Sequence, residues 1–137
     1  MLEVRKAVKD DVSDLANLNF KFNEAIIEHK EIIESLENSK EIVVVALWEK
    51  EVIGFVCGQY FKSFCYENLS GEVTELYVKE QFRRKGVAKS LISFLEKELN
   101  SMGVKEIKII TNIRNKVAKS VYQSIGYKLK KWVVFNK

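Results

Sequence analysis

An α/β domain, with a mixed and mostly antiparallel sheet flanked by about four helices, is the fold class this sequence predicts. Three observations predict it. Short β-branched and aromatic runs (EIVVVALWE, VIGFVCGQYF, EIKII) have the apolar pattern of strands. Apolar residues also recur at helical spacing, as in Val87, Leu91, Phe94, Leu95, Leu99 and Met102. The chain has 137 residues, 47% hydrophobic and 31% charged, which fits one ordinary globular domain over residues 1–137.

Leu2 to Val8 reads as the first strand, with Leu2, Val4 and Val8 inward. Asp10 or Asp11 is placed to cap a helix carrying Leu15, Leu18, Phe22 and Ile26. A second helix is expected from about Ile26 through Leu36, with Glu28, Glu31, Glu34 and Glu37 on its wet side. The two β-branched runs then form a hairpin across a turn at Lys50-Glu51. Lys62 to Ser70 is a loop or strand extension, and Glu72 to Val78 is the next strand. The Val87–Met102 helical face ends near Gly103, where a helix can stop in a left-handed residue. Glu106 to Ile110 is a strand. Val117, Ala118, Val121, Tyr122 and Ile125 trace a last helix ending near Gly126, and Trp132 to Phe135 is the last strand. Trp48 and Trp132 are expected in the core or at an edge. The chain shows no repeat and no linker.

Composition excludes several classes. The longest apolar run, Ile42 to Trp48, is far short of a membrane span, and the first residues lack the apolar region of a signal peptide. No membrane partner is expected, and the reading is cytoplasmic. Cys57 and Cys65 form no CxxC pair, so free thiols and no metal site are expected. Charge is uneven. Residues 1–72 hold 8 Lys/Arg against 14 Asp/Glu, and residues 73–137 hold 15 against 5. The basic half suits a polyanionic ligand and the acidic half a cationic one. Basic charge clusters at one helix start without an aromatic platform, so no nucleic-acid partner is expected.

That helix start is the sharpest signal. Glu80-Gln81-Phe82-Arg83-Arg84-Lys85-Gly86-Val87-Ala88-Lys89-Ser90 lies between a strand and an amphipathic helix. Gly86 allows close approach of the backbone. The first N–H groups of the helix are unpaired and sit at the positive end of its dipole, an anion site. Arg83, Arg84, Lys85 and Lys89 add charge, and Ala88 is small where a pyrophosphate would cross. Neither GxxxxGK[ST] nor GxGxxG is present.

Arg83 to Ala88 is similar to the R/Q-x-x-G-x-G/A motif of the GCN5-related N-acetyltransferases (GNAT family). Asn115, Ala118, Tyr122, Gly126 and Tyr127 resemble that family's N-x-x-A-x-x-x-Y-x-x-x-G-F/Y pattern. The resemblance covers nearly the whole chain in element order. It implies acetyl-CoA as cosubstrate, with no metal. Leu76, Tyr77 and Val78 would give backbone hydrogen bonds to the pantetheine arm. The amides from Arg84 to Ala88, with Val87 between them and Lys89 or Ser90, would hold the pyrophosphate. Asn115 would contact the pantetheine or a neighbouring water, and the fourth and fifth strands would splay to admit it.

Transfer to an amine needs a base for the amine, a donor for the thioester oxygen and an acid for the leaving thiolate. By the resemblance, attack is direct, Tyr122 is the general acid, and the Val78 amide meets the oxyanion. The base is Glu75, Glu72 or water. Glu75 alternates with Leu76, so its face is open at this point. Phe20, Asn23, Glu24 and Tyr66 are candidates to line the acceptor site, and His29 reads as a wet helix residue. The acceptor is a small-molecule amine, with a cationic one favoured by the acidic half, or a peptide amine. Ile110 replaces a glutamate common in ribosomal-protein acetyltransferases, which disfavours a protein N-terminus or lysine. A non-enzymatic acyl-CoA sensor is the alternative of another class, and Tyr122 argues against it. A homodimer is compatible with the resemblance.

Overall fold

Five strands lie side by side in chain order in the computed structural model, which describes residues 1–38 and 40–137. They are β1 (Leu2–Lys6), β2 (Glu41–Trp48), β3 (Glu51–Phe61), β4 (Leu69–Val78) and β5 (Val104–Ile109). β1 to β4 are antiparallel, and β5 runs parallel to β4. Four α-helices accompany them: α1 (Val12–Asn23), α2 (His29–Asn38), α3 (Val87–Ser101) and α4 (Lys116–Ser124). The right fold class is therefore reached from the alternation of strand and helix patterns. No helix among the described residues is long and apolar enough to cross a membrane.

Strand alternation splits the core into two layers. Ile42, Val44, Ala46, Ile53, Val56, Val73 and Val78 pack with Val87, Leu91, Leu95 and Leu99 of α3. Val43, Val45, Leu47, Val52, Phe55 and Cys57 pack with Leu15 and Leu18 of α1, and with Ile32 and Leu36 of α2. At Gly58 the sheet and α3 are so close that a Cβ would lie 2.8 Å from a Leu95 methyl.

A bulge in β4 sets the site. Cys57 pairs with Glu75 but Gly58 pairs with Val73, so Thr74 is the extra residue. Its hydroxyl donates to the Cys57 carbonyl at 3.2 Å. The bulge puts Val73, Leu76 and Val78 on the α3 layer, and Glu72, Glu75 and Tyr77 on the α1/α2 face.

Several expectations need correction. Trp132 to Phe135 forms no strand, and Trp132 is 85% exposed. The pattern is β-like, but none of the described strands pairs with it, and a strand exists only in a ladder. α2 begins at His29, and Ile26 is exposed outside it, because the chain turns left-handed at Glu24 directly after α1. Asp11 stands at the α1 start without capping it. Its carboxylate instead takes both guanidinium nitrogens of Arg5 (2.7 and 3.0 Å) and the Val8 amide (2.8 Å). Val8 and Val117 are exposed. The β2–β3 turn is Glu49-Lys50, both at positive φ, the geometry that matches a two-residue hairpin.

Candidate active site

β4 outruns its neighbour. The β4–β5 pairing ends at Val73↔Ile109, so Thr74 to Val78 has β3 on one side and none of the described strands on the other. The ladder geometry says which backbone groups face that gap. The Lys79 amide donates to the Ile53 carbonyl at 2.8 Å, so residue 79 points toward β3. Alternation then turns Tyr77 toward β3 and turns Leu76 and Val78 toward the open edge. Of the three strand residues expected to offer backbone bonds, Leu76 and Val78 are therefore the ones so placed.

The chain passes from this edge into the basic turn. Arg84 and Gly86 both have left-handed backbones, φ 63° and 81°. The first is a strained position for a residue with a side chain, of the sort that accumulates where a loop needs one shape. Gly86 is the N-cap of α3 and brings no side chain to its free N–H groups. Nothing lies within 4 Å of where a Gly86 Cβ would stand. Arg84, Lys85 and Lys89 are exposed around it, Ser90 and Ala88 are half-buried, and Val87 anchors the turn in the core. Arg83 reaches back. Its Nε donates to the Val78 carbonyl at 2.8 Å, and its guanidinium lies 5.6 Å from the centre of the Tyr77 ring. An open backbone edge leading into an uncapped, basic helix start fits an extended ligand with an anionic end.

α4 carries the second motif. The Asn115 side chain accepts from the Ala118 amide at 3.0 Å, an N-cap, so its fixed role in this structure is structural. At the other end the Tyr127 amide bonds the Tyr122 carbonyl (3.0 Å) and the Gly126 amide bonds the Gln123 carbonyl (3.2 Å). With Gly126 at φ 101°, this is a Schellman stop, which explains Gly-Tyr at that spacing. The Tyr127 hydroxyl donates to Glu96 of α3 at 2.6 Å, which ties the end of α4 to α3. Burial pushes the half-buried Tyr122 phenol up from its ordinary value.

On the opposite face, Glu75 is exposed, and partial burial raises its carboxyl above the ordinary range. Tyr77 next to it stacks at 5.3 Å on Phe22 of α1 and at 6.3 Å on Phe55. Phe22 therefore borders the site, whereas the expected Phe20 turns to a 270 Å³ cavity with Asp14, Lys21 and Lys79. Asn23 bonds Asn19 (2.8 Å), Glu24 is the α1 C-cap, and Tyr66 is an exposed loop residue whose carbonyl takes Lys62 Nζ. The helical period alone carried the signal for Phe22. His29 is exposed at the start of α2. Cys57 is buried, and burial holds its thiol far above the ordinary range.

Residues 9–127 match the model of the acetyltransferase (GNAT) family, and the chain belongs to that family. An acetyltransferase of Sodalis glossinidius (strain morsitans) is 28% identical over 99 residues, 72% of this chain. The chain spans 66% of the length of that relative. Among solved structures, AAC(6')-Iy in complex with the bisubstrate analogue CoA-S-monomethyl-acetylneamine superposes with a TM-score of 0.89. It is 20% identical and is covered over 97% of its chain, using 100% of this one. A ribosomal-protein-alanine N-acetyltransferase from Brucella melitensis biovar Abortus 2308 superposes with a TM-score of 0.84. It is 17% identical, with 100% and 98% coverage of this chain and that one. These likenesses establish the GNAT fold.

Proposed function

We propose that this chain moves an acetyl group from acetyl-CoA to the primary amine of a cationic small molecule by direct attack. The observation that carries the reading is the unpaired β4 edge running into the uncapped α3 start at Gly86. Acetyl-CoA, when bound, supplies an activated thioester. The Leu76 and Val78 backbone groups bind its pantetheine as an added strand would be bound. The Val78 amide donates to the thioester oxygen as it gains charge. The amides at the start of α3, with Lys89 and Ser90, hold the pyrophosphate.

Proton handling falls to the two faces. Glu75, on the α1/α2 face with its carboxyl raised by partial burial, takes the amine proton directly or through water, with Glu72 or bulk water as the alternative base. Tyr122, tied through Tyr127 to α3 on the other side, keeps its proton until the thiolate leaves. Cys57 stays a thiol and cannot serve as a covalent carrier, which supports direct attack. Calorimetric titration with acetyl-CoA tests the reading. Gly86→Glu places bulk and negative charge at the anion site and abolishes binding while circular dichroism stays native. Unchanged affinity in that variant contradicts the assignment.

A further inference from the structure

Core packing does not place α4. Among the described residues, it adds none to either buried layer, nor to the half-buried apolar side chains packed on those layers. The bond from the Tyr127 hydroxyl to Glu96 of α3, at 2.6 Å, is the only side-chain hydrogen bond among the described residues that joins residues 112–127 to the rest of the chain. Tyr127 also reaches the other way. Its amide donates to the Tyr122 carbonyl at 3.0 Å, within the helix stop. Burial, then the bond and charge of Glu96, push the Tyr127 phenol far up, and the charge of Tyr122 adds to the rise, so the two phenols are neighbours.

Glu96 itself has a fixed place. α3 buries Leu91, Leu95 and Leu99 against the sheet, and the half-buried Glu96 follows Leu95 directly. It stands ten positions after the Gly86 N-cap, about 15 Å along the helix. From this chain of contacts we infer that Glu96 is a positioning residue: through the Tyr127 hydroxyl it sets where Tyr122 stands relative to the anion site at the α3 start. The inference rests on the acetyl-transfer reading above, in which Tyr122 gives its proton to the leaving thiolate. Proton transfer needs the donor within hydrogen-bond reach, and a misplacement of about 1 Å costs up to about 10²-fold in rate. A phenylalanine at 127 would keep the ring and the helix stop, so the fastening to Glu96 is what the hydroxyl adds.

Steady-state thiol release and calorimetric acetyl-CoA affinity test this for Tyr127→Phe, Glu96→Ala and Glu96→Gln, each made in the wild-type and in the Tyr122→Phe background. In the wild-type background Tyr127→Phe and Glu96→Ala each lower kcat about tenfold and leave acetyl-CoA affinity unchanged. Glu96→Gln, whose amide oxygen still accepts a hydrogen bond, restores most of the rate. In the Tyr122→Phe background the same three changes leave kcat where it is, because no acid remains to be placed. An equal loss in both backgrounds marks the bond as merely structural and overturns the inference, and so does a wild-type kcat in Tyr127→Phe. Tyr127→Phe keeps the ring and decides the question should Glu96→Ala fail to fold. If Tyr122→Phe alone keeps the wild-type kcat, acetyl transfer stands and the inference falls. Without amine-dependent thiol release from the wild-type protein, the transfer reading fails and the inference falls with it.

Discussion

The Arg83 Nε lies 2.8 Å from the Val78 carbonyl oxygen, so the basic turn is fastened to the last residue of the strand that faces the gap. The same guanidinium covers the Tyr77 ring, which in turn packs on Phe22 of α1. One side chain thereby joins the basic turn to the end of β4 and, through Tyr77, to α1. Lysine keeps the charge but lacks the planar fork and the Nε donor. Arg83→Lys is expected to weaken acetyl-CoA binding about tenfold, the worth of a hydrogen bond from a charged group. Wild-type affinity in a calorimetric titration would mean that only the charge matters there.

Tyr122→Phe removes one hydroxyl and keeps the ring. If Tyr122 is the general acid, as proposed, the change removes the proton donor for the leaving thiolate. Turnover falls by roughly 10²–10⁴, nearer the small end because a thiolate leaves partly unaided. Acetyl-CoA affinity stays close to wild type. Parallel loss of affinity and rate would reassign Tyr122 to binding, and no loss of either would remove it from the mechanism.

Glu75 titrates above the ordinary carboxylate range, because burial disfavours its charged form. Its base form is therefore present only above that raised value, and kcat/KM falls as pH drops through it. Glu75→Gln removes this limb. Its rate deficit is largest at low pH and shrinks as pH rises and more amine is already neutral. An unaltered pH–rate profile in the variant would move the role to Glu72 or bulk water.

Acid stability should follow Asp11. Burial alone would raise its carboxyl, but the Arg5 hydrogen bonds, the Val8 amide and the Arg5 charge together hold it below the ordinary value. A depressed folded value means the contribution is complete at neutral pH and is lost as pH falls below about 3.9, toward the folded value. Asp11→Asn should cost about 2–3 kcal/mol in urea at pH 7, and the gap to wild type should narrow in acid. A gap that stays constant with pH would contradict this account of Asp11.

Much of this was legible from periodicity. Leu91, Leu95 and Leu99 of α3 are fully buried where the helical face puts them, and Gly86 is the α3 N-cap. The face of Glu75 was not legible, because a bulge at Thr74 depends on the register of a partner strand. Trp132 to Phe135 misled for a related reason, since a β-like pattern does not supply the strand it must pair with.

Acceptor-dependent thiol release from acetyl-CoA, measured for the wild-type protein over a panel of mono-, di- and polyamines, tests the central claim most directly. The account predicts thiol release that requires a primary amine, is greatest with a multiply charged one, and matches the acetylated amine mole for mole. Tight acetyl-CoA binding with no amine-dependent release across the panel would contradict it and leave a binding protein on an acetyltransferase fold.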